Sequence, residues 1–293
     1  MKHYLCFAGL VICSSALLAA DYKPIEVHPD YDHDRWGTEP KDIVREFRAY
    51  ITSFDSDDDD DGDGRVDVWG IPEFVAYEIK KFEGTLGKGP KRPNPWLTDK
   101  ELASKGIAPT DATYQYSRAF RNNHPNWYVR GHLCMKQHAW RLGENADWNT
   151  HTMLNAVPQR EEFNSGIWLD LEYKTAAWAD TYGAVWIVTG PVINNLKPSK
   201  WLGEAYKGEM KIAIPDALFK IVIKESDNHD RPDVLAFIYP QIGPGYNKSP
   251  YDHEKYLVSV DEIEEATGLD FLTKLPEIYQ EIIEQEKAAQ LWD

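Results

Sequence analysis

Beyond its first 20 residues this 293-residue chain has a single cysteine, Cys134, so no intrachain disulfide can brace that part. A buried apolar thiol is one reading of Cys134, and a nucleophile or metal ligand is the other. Long apolar runs are also missing after residue 20, which leaves no membrane span in the bulk of the chain. Positive charge is scarce: 32 Lys and Arg stand against 48 Asp and Glu, for a formal net charge of −16. That balance excludes tight polyanion binding by overall charge alone. The first 20 residues contain no Arg, which argues against a mitochondrial transit peptide. No internal repeat is visible, so solenoid architectures drop out.

What the amino terminus does contain is Lys2 and His3, an apolar run from Tyr4 to Leu18, and Ala19-Ala20. A charged start, a short apolar core and small closing residues read as a secretory signal peptide over residues 1–20. A secreted or periplasmic protein starting near Asp21, with no membrane attachment, is therefore expected. Residues 21–67 read as an N-terminal appendage, with helical spacing through Ile43, Phe47 and Ile51. It closes on Asp55–Asp67, which holds eight Asp, half of the net charge in number. Asp59, Asp61, Asp63 and Asp67, with Gly64 at the turn, fit the first nine positions of a calcium loop. Position twelve is Gly70, so the bidentate Glu is missing. Calcium binding and a solvated acidic run both remain open.

The chemistry concentrates between Trp127 and Glu172. An extended Asn126–Val129 leads into Arg130-Gly131-His132. Alternation along a strand puts Arg130 and His132 on one face, where a guanidinium can clamp a phosphate and an imidazole can take a proton from water. A second short strand is expected over Thr152–Val157, carrying Asn155 and ended by Pro158. A helix then follows over about 161–182, placing Asn164, Trp168 and Glu172 on one ridge at i, i+4 and i+8. An amide oxygen and a carboxylate two turns apart suit a hydrated Mg²⁺. Taken singly, each residue also has a structural reading: a His after Gly in a turn, an Asn as a helix cap. The ordered set R-G-H, N-x-V-P-Q and N-x-x-x-W-x-x-x-E is more specific than its members.

That set resembles the DNA/RNA non-specific endonucleases, the ββα-metal nucleases that include secreted bacterial nucleases and endonuclease G. The resemblance runs from about Val68 to about Leu275 and takes in the strand Glu73–Ile79. It also covers Ala184–Thr189 stopped by Gly190-Pro191, strands over Met210–Ile214, Ala217–Ile223 and Val234–Tyr239, and a closing helix and turn over Ser259–Phe271. It implies an α+β fold of the ββα-metal (His-Me finger) type, with a central, mostly antiparallel sheet flanked by helices over residues 68–293. It also implies His132 as general base, Arg130 on the phosphate, Asn155 orienting His132, Asn164 as direct Mg²⁺ ligand and Glu172 on the ion's water shell, with Mn²⁺ able to substitute. Arg92, in R-P-N-P-W-x-x-D, resembles a second phosphate ligand, and a plain solvent loop is its other reading. The family's leading Asp is Val129 here, and Ala176 stands where an Arg is expected one turn after Glu172.

DNA and RNA are thus the expected substrates, without a stable protein partner and with 5′-phosphate products. A local basic groove of Lys88, Lys91, Arg92, Arg118, Arg121, Arg130, Lys136 and Arg141 would receive the backbone despite the net charge. Two rivals stand beside this reading: a phosphodiesterase of the same fold with another substrate, and a calcium-dependent binding protein on a decayed scaffold.

Overall fold

The computed structural model describes residues 22–40, 43–56, 59, 62, 64, 67–116, 127–203, 209–226 and 231–293. The leader, Asp61, Asp63, Arg118 and Arg121 lie outside the described residues. Among the described residues the strands are β1 (Ile43–Phe47), β2 (Tyr50–Phe54), β3 (Pro72–Lys80), β4 (Tyr128–His132), β5 (Ala156–Arg160), β6 (Ala184–Val192), β7 (Trp201–Leu202), β8 (Ile212–Ala213), β9 (Ala217–Lys224), β10 (Asp233–Pro240) and β11 (Leu257–Val258). The helices are α1 (Lys100–Ser104), α2 (Asp111–Tyr116), α3 (Lys136–Trp140), α4 (Glu144–Asn149), α5 (Glu161–Asn164), α6 (Ile167–Tyr182), α7 (Val260–Thr267) and α8 (Glu277–Gln285). None of them is long and apolar enough to cross a membrane.

Seven strands form one antiparallel sheet in the order β1-β2-β3-β6-β9-β10-β11. Its strands alternate between two apolar layers, as the period of two requires. Val75, Tyr77, Val185, Ile187, Leu218, Val222, Leu235 and Phe237 face one core; Phe74, Ala76, Trp186, Phe219, Ile221 and Ala236 face the other. On the first face lies α6, which buries Ile167, Trp168, Leu171, Thr175, Trp178 and Ala179 in a single stripe. The β4–β5 hairpin flanks it, completing a ββα unit with α5 and α6. On the second face lies α7, opened by a Ser259–Glu262 capping box and closed by Gly268 in the left-handed region. Each fully buried Leu or Phe in these layers contributes roughly 1.5–3 kcal/mol.

Three elements differ from expectation. Residues 43–54 form a hairpin, not a helix, and β2 pairs with β3. The segment expected as an appendage therefore supplies two strands, β1 and β2, at one edge of the main sheet. Pro158 does not end a strand but lies inside β5, opposite Arg130. It is tolerated because β5 has no second strand neighbour; the Gln241 side chain covers that edge, taking the Arg160 N–H at 3.0 Å and donating to the Pro158 carbonyl at 2.7 Å. Gly190-Pro191 likewise lies within β6.

Candidate active site

The site forms where β4 meets α5 and α6. Gly131 separates Arg130 from His132 because no side chain fits there: a Cβ would lie 2.1 Å from the Gln159 side chain packed across it. The R-G-H and P-Q motifs are thus two halves of one packing contact.

Arg130 is half-buried and held from three sides. Its Nε lies 2.5 Å from Asp111 Oδ1, and its guanidinium stands 5.3 Å from the Trp96 ring and 5.6 Å from the Tyr114 ring. Asp111 starts α2, so the carboxylate beside this arginine comes from another element, while the motif position carries Val129. Trp96 reaches His132 as well, at 4.7 Å between ring centroids, and His151 meets His132 edge-on at 5.0 Å. The His132 Nε2 has no hydrogen-bond partner among the described residues. Burial first, then the His151, Arg92, Lys136 and Arg130 charges, hold the imidazole well below its ordinary pKa, so it is neutral near pH 7.

Asn155 does not touch the imidazole. Its Oδ1 accepts the Cys134 N–H at 2.7 Å, and its Nδ2 donates to the Cys134 and Thr150 carbonyls at 3.0 and 2.9 Å. It fixes the backbone just past His132. Cys134 itself is fully buried, with burial pushing its thiol up, which suits packing and not nucleophilic chemistry.

The expected Asn164–Trp168–Glu172 ridge is interrupted. Helix α5 ends at Asn164, and α6 begins at Ile167. The break occurs at Gly166, where a Cβ would stand 1.8 Å from the Tyr246 carbonyl, which instead accepts the Ile167 N–H at 2.9 Å. Asn164 and Glu172 nevertheless line one cavity of about 450 Å³ together with Arg92, Arg130, His132 and Lys136. The amide and carboxylate there are hard oxygen donors, few in number, beside a cavity with room for water. That set fits a hydrated Mg²⁺ and offers no sulfur to favour a softer ion.

Beneath Glu172 lies a residue the motifs did not single out. Lys220 points from β9 into the same core, fully buried, with Nζ 4.1 Å from the Trp168 ring centroid. Burial pushes Glu172 up to about 7 against the pull of Lys220, and burial pushes Lys220 down to about 8 against Glu172. A lysine in the middle of ALFKIVIK is the signal that marks it, since an apolar strand rarely buries an ammonium without a partner. Of the expected basic groove, Lys136 is paired with Asp147 at 3.3 Å, and Lys88, Lys91 and Arg92 are exposed. Arg141 is not part of it: its side chain is buried against Asp180 at 2.7 Å. In the acidic run, Gly64 N–H donates to Asp59 at 2.7 Å, a turn closure that needs no ion.

Comparison with known proteins places this arrangement. Residues 67–278 match the family model described as DNA/RNA non-specific endonuclease. The chain is 29% identical over 155 residues to the mitochondrial nuclease EXOG of Danio rerio, covering 50% of this chain and 43% of that protein. It is 28% identical over 214 residues to a nuclease of Serratia marcescens, covering 71% and 70%. Among solved structures it is similar to the chain in the crystal structure of the EndoG/EndoGI complex, with a TM-score of 0.62 at 18% identity over 84% of this chain and 92% of that one. It thus spans less than half the length of the Danio rerio relative.

Proposed function

The chain belongs to the DNA/RNA non-specific endonuclease family, and on that premise we propose that it is an exported endonuclease hydrolysing phosphodiester bonds in DNA and RNA, with His132 as general base and one Mg²⁺ at Asn164 and Glu172. The observation that carries this reading is the convergence of Arg130, His132, Asn164 and Glu172 on a single cavity.

Arg130, oriented by Asp111 and flanked by Trp96 and Tyr114, receives a phosphate oxygen, and exposed Arg92 receives a second. His132 takes a proton at Nε2 from water as the water oxygen bonds to phosphorus. The bond from phosphorus to the 3′ oxygen breaks in line, and the departing oxygen takes a proton from solvent water, leaving a 5′-phosphate and a 3′-hydroxyl. Asn155 keeps the base in place through Cys134, and Lys220 offsets the negative charge of Glu172 from below. When bound, Mg²⁺ supplies positive charge to the phosphate and the leaving oxygen. None of these steps requires a group at the ribose 2′ position, which is why both sugars are included. For export, the leader over residues 1–20 and its lack of Arg support secretion in preference to mitochondrial import.

The test uses protein lacking residues 1–20, an oligodeoxynucleotide and an oligoribonucleotide of one sequence, and end analysis of the fragments. The expected result is internal cleavage of both in Mg²⁺ or Mn²⁺, fragments carrying 5′-phosphates, and no cleavage in chelator. Cleavage that proceeds in chelator, or fragments with 3′-phosphates, would overturn the proposed chemistry. Mass analysis of exported protein should find a terminus near Asp21.

A further inference from the structure

On the face of the sheet away from that cavity, three carboxylates meet between the last two helices. Asp261 and Glu264 stand three residues apart on α7, hence on one side of it, and Glu284 comes from the last turn of α8. One oxygen from each lies within 4.8 Å of the other two. The charged groups acting most on Glu264 and Glu284 are further carboxylates, Asp270 among them. No ion pair links Asp261, Glu264 or Glu284 to a basic residue among the described residues. The Gln280 amide donates to Asp270 Oδ1 and the Phe271 carbonyl, at 3.1 and 2.9 Å, and also hydrogen-bonds the Glu284 side chain, while Glu264 Oε1 accepts the Phe271 N–H at 2.9 Å.

A separate observation concerns Glu284 alone. It is 7% exposed, and its Oε1 is sealed from solvent without a hydrogen-bond donor. A dry, unpartnered carboxylate oxygen is costly enough that native proteins compensate it. The Gln280 amide, the donor that reaches Glu284, is shared with Asp270 and the Phe271 carbonyl, and the other charged neighbours are carboxylates, so a cation is the partner that this cluster lacks.

We propose that Asp261, Glu264 and Glu284 form a structural site for a hard divalent cation, calcium first, that ties α7 to α8. Donors that are all oxygen and all anionic suit calcium, which takes six to eight oxygens at about 2.3–2.6 Å. Three oxygens within 4.8 Å of one another share a point at most about 2.8 Å from each, so a shift of a few tenths of an ångström brings all three to calcium's bond length. No nitrogen or sulfur donor belongs to the set, which disfavours zinc. Exposed Asp261 leaves an entry path and room for water ligands. The two helices cover the second core through Ile263 and Ile283, so the ion would brace that layer and leave the phosphodiester chemistry alone.

The test is calcium titration and thermal unfolding of the chain lacking residues 1–20, at about pH 8 after chelator treatment. Four proteins are compared: wild type, Asp261→Asn, Glu264→Gln, and Asp61→Asn/Asp63→Asn in the acidic run. Wild type should bind an equivalent of Ca²⁺ that Glu264→Gln loses, that Asp261→Asn weakens about tenfold, and that the acidic-run variant keeps. About 10 mM Ca²⁺ should raise the wild-type midpoint by roughly 3 °C and leave Glu264→Gln unmoved. In chelator, Glu264→Gln should unfold above wild type, because one of the crowded charges is gone. Asp261 is exposed, so its variant stays informative even if Glu264→Gln folds poorly. A wild type that neither binds the equivalent nor shifts with Ca²⁺ overturns the proposal, as does an equivalent lost only from the acidic-run variant.

Discussion

At the residue scale, the site joins two groups that burial pushes in opposite functional directions. His132 is held neutral by desolvation and by the surrounding cations, so the base proposed here stays unprotonated below the ordinary imidazole range. Glu172 is different: its carboxyl is pushed up to about 7, so without a cation it is protonated below that pH. The proton and the metal compete for it. The Mg²⁺ concentration for half-maximal cleavage should therefore rise as pH falls from about 8 to 6, while activity at saturating Mg²⁺ falls much less. A constant Mg²⁺ requirement across that range would contradict the assignment of Glu172. Asp111 makes a second prediction: Asp111→Ala should lower kcat/KM by up to about 10²-fold by releasing Arg130, with little change in unfolding midpoint. His132, Arg130, Asn164 and Glu172 were all legible in the sequence, because their spacing sits inside one segment. Asp111, His151 and Lys220 were not, because each reaches the site from its own position in the chain and is recognised only by what it touches. Asn155 was legible by position, and its hydrogen bonds go to the Cys134 backbone, two residues past His132.

At the element scale, two glycines set the geometry. Gly166 breaks what the apolar spacing reads as one helix, because the Tyr246 carbonyl occupies the space of its missing Cβ. Gly166→Ala should cost about 1–3 kcal/mol in denaturant unfolding and raise the Mg²⁺ requirement, since Asn164 ends the turn just before it. An unchanged midpoint would mean that the close approach is not needed. The same long-range contact explains why sequence periodicity overlooked the break: local spacing carries no trace of a loop arriving from residue 246. The hairpin at 43–54 was misread for a related reason. Ile43, Phe47 and Ile51 satisfy a helical repeat, but β3 offers an open edge, and pairing with it wins. The strands of the central sheet were the most legible elements, because β6, β9 and β10 are continuous apolar runs that a two-layered core requires.

At the scale of the whole molecule, a net charge of −16 must coexist with the polyanionic substrate proposed for this chain. Binding then rests on few local cations. If Arg92, Arg130 and Lys136 neutralise about three phosphates, the logarithmic salt slope is about −2.7, and raising salt from about 50 to 200 mM should lower kcat/KM roughly 40-fold. A flat salt response would mean that these residues do not meet the backbone. The overall architecture was legible as α+β with a ββα unit, and family membership agrees with it. The two strands β1 and β2 were not legible as part of the sheet, because they precede the acidic run and their apolar spacing fits a helix. The most direct test of the central claim is digestion of supercoiled plasmid and folded RNA by wild type and His132→Ala, each with Mg²⁺ and with chelator. The account predicts Mg²⁺-dependent cleavage of both substrates by wild type and a loss of at least about 10²-fold in the variant. Cleavage by His132→Ala at the wild-type rate would contradict it.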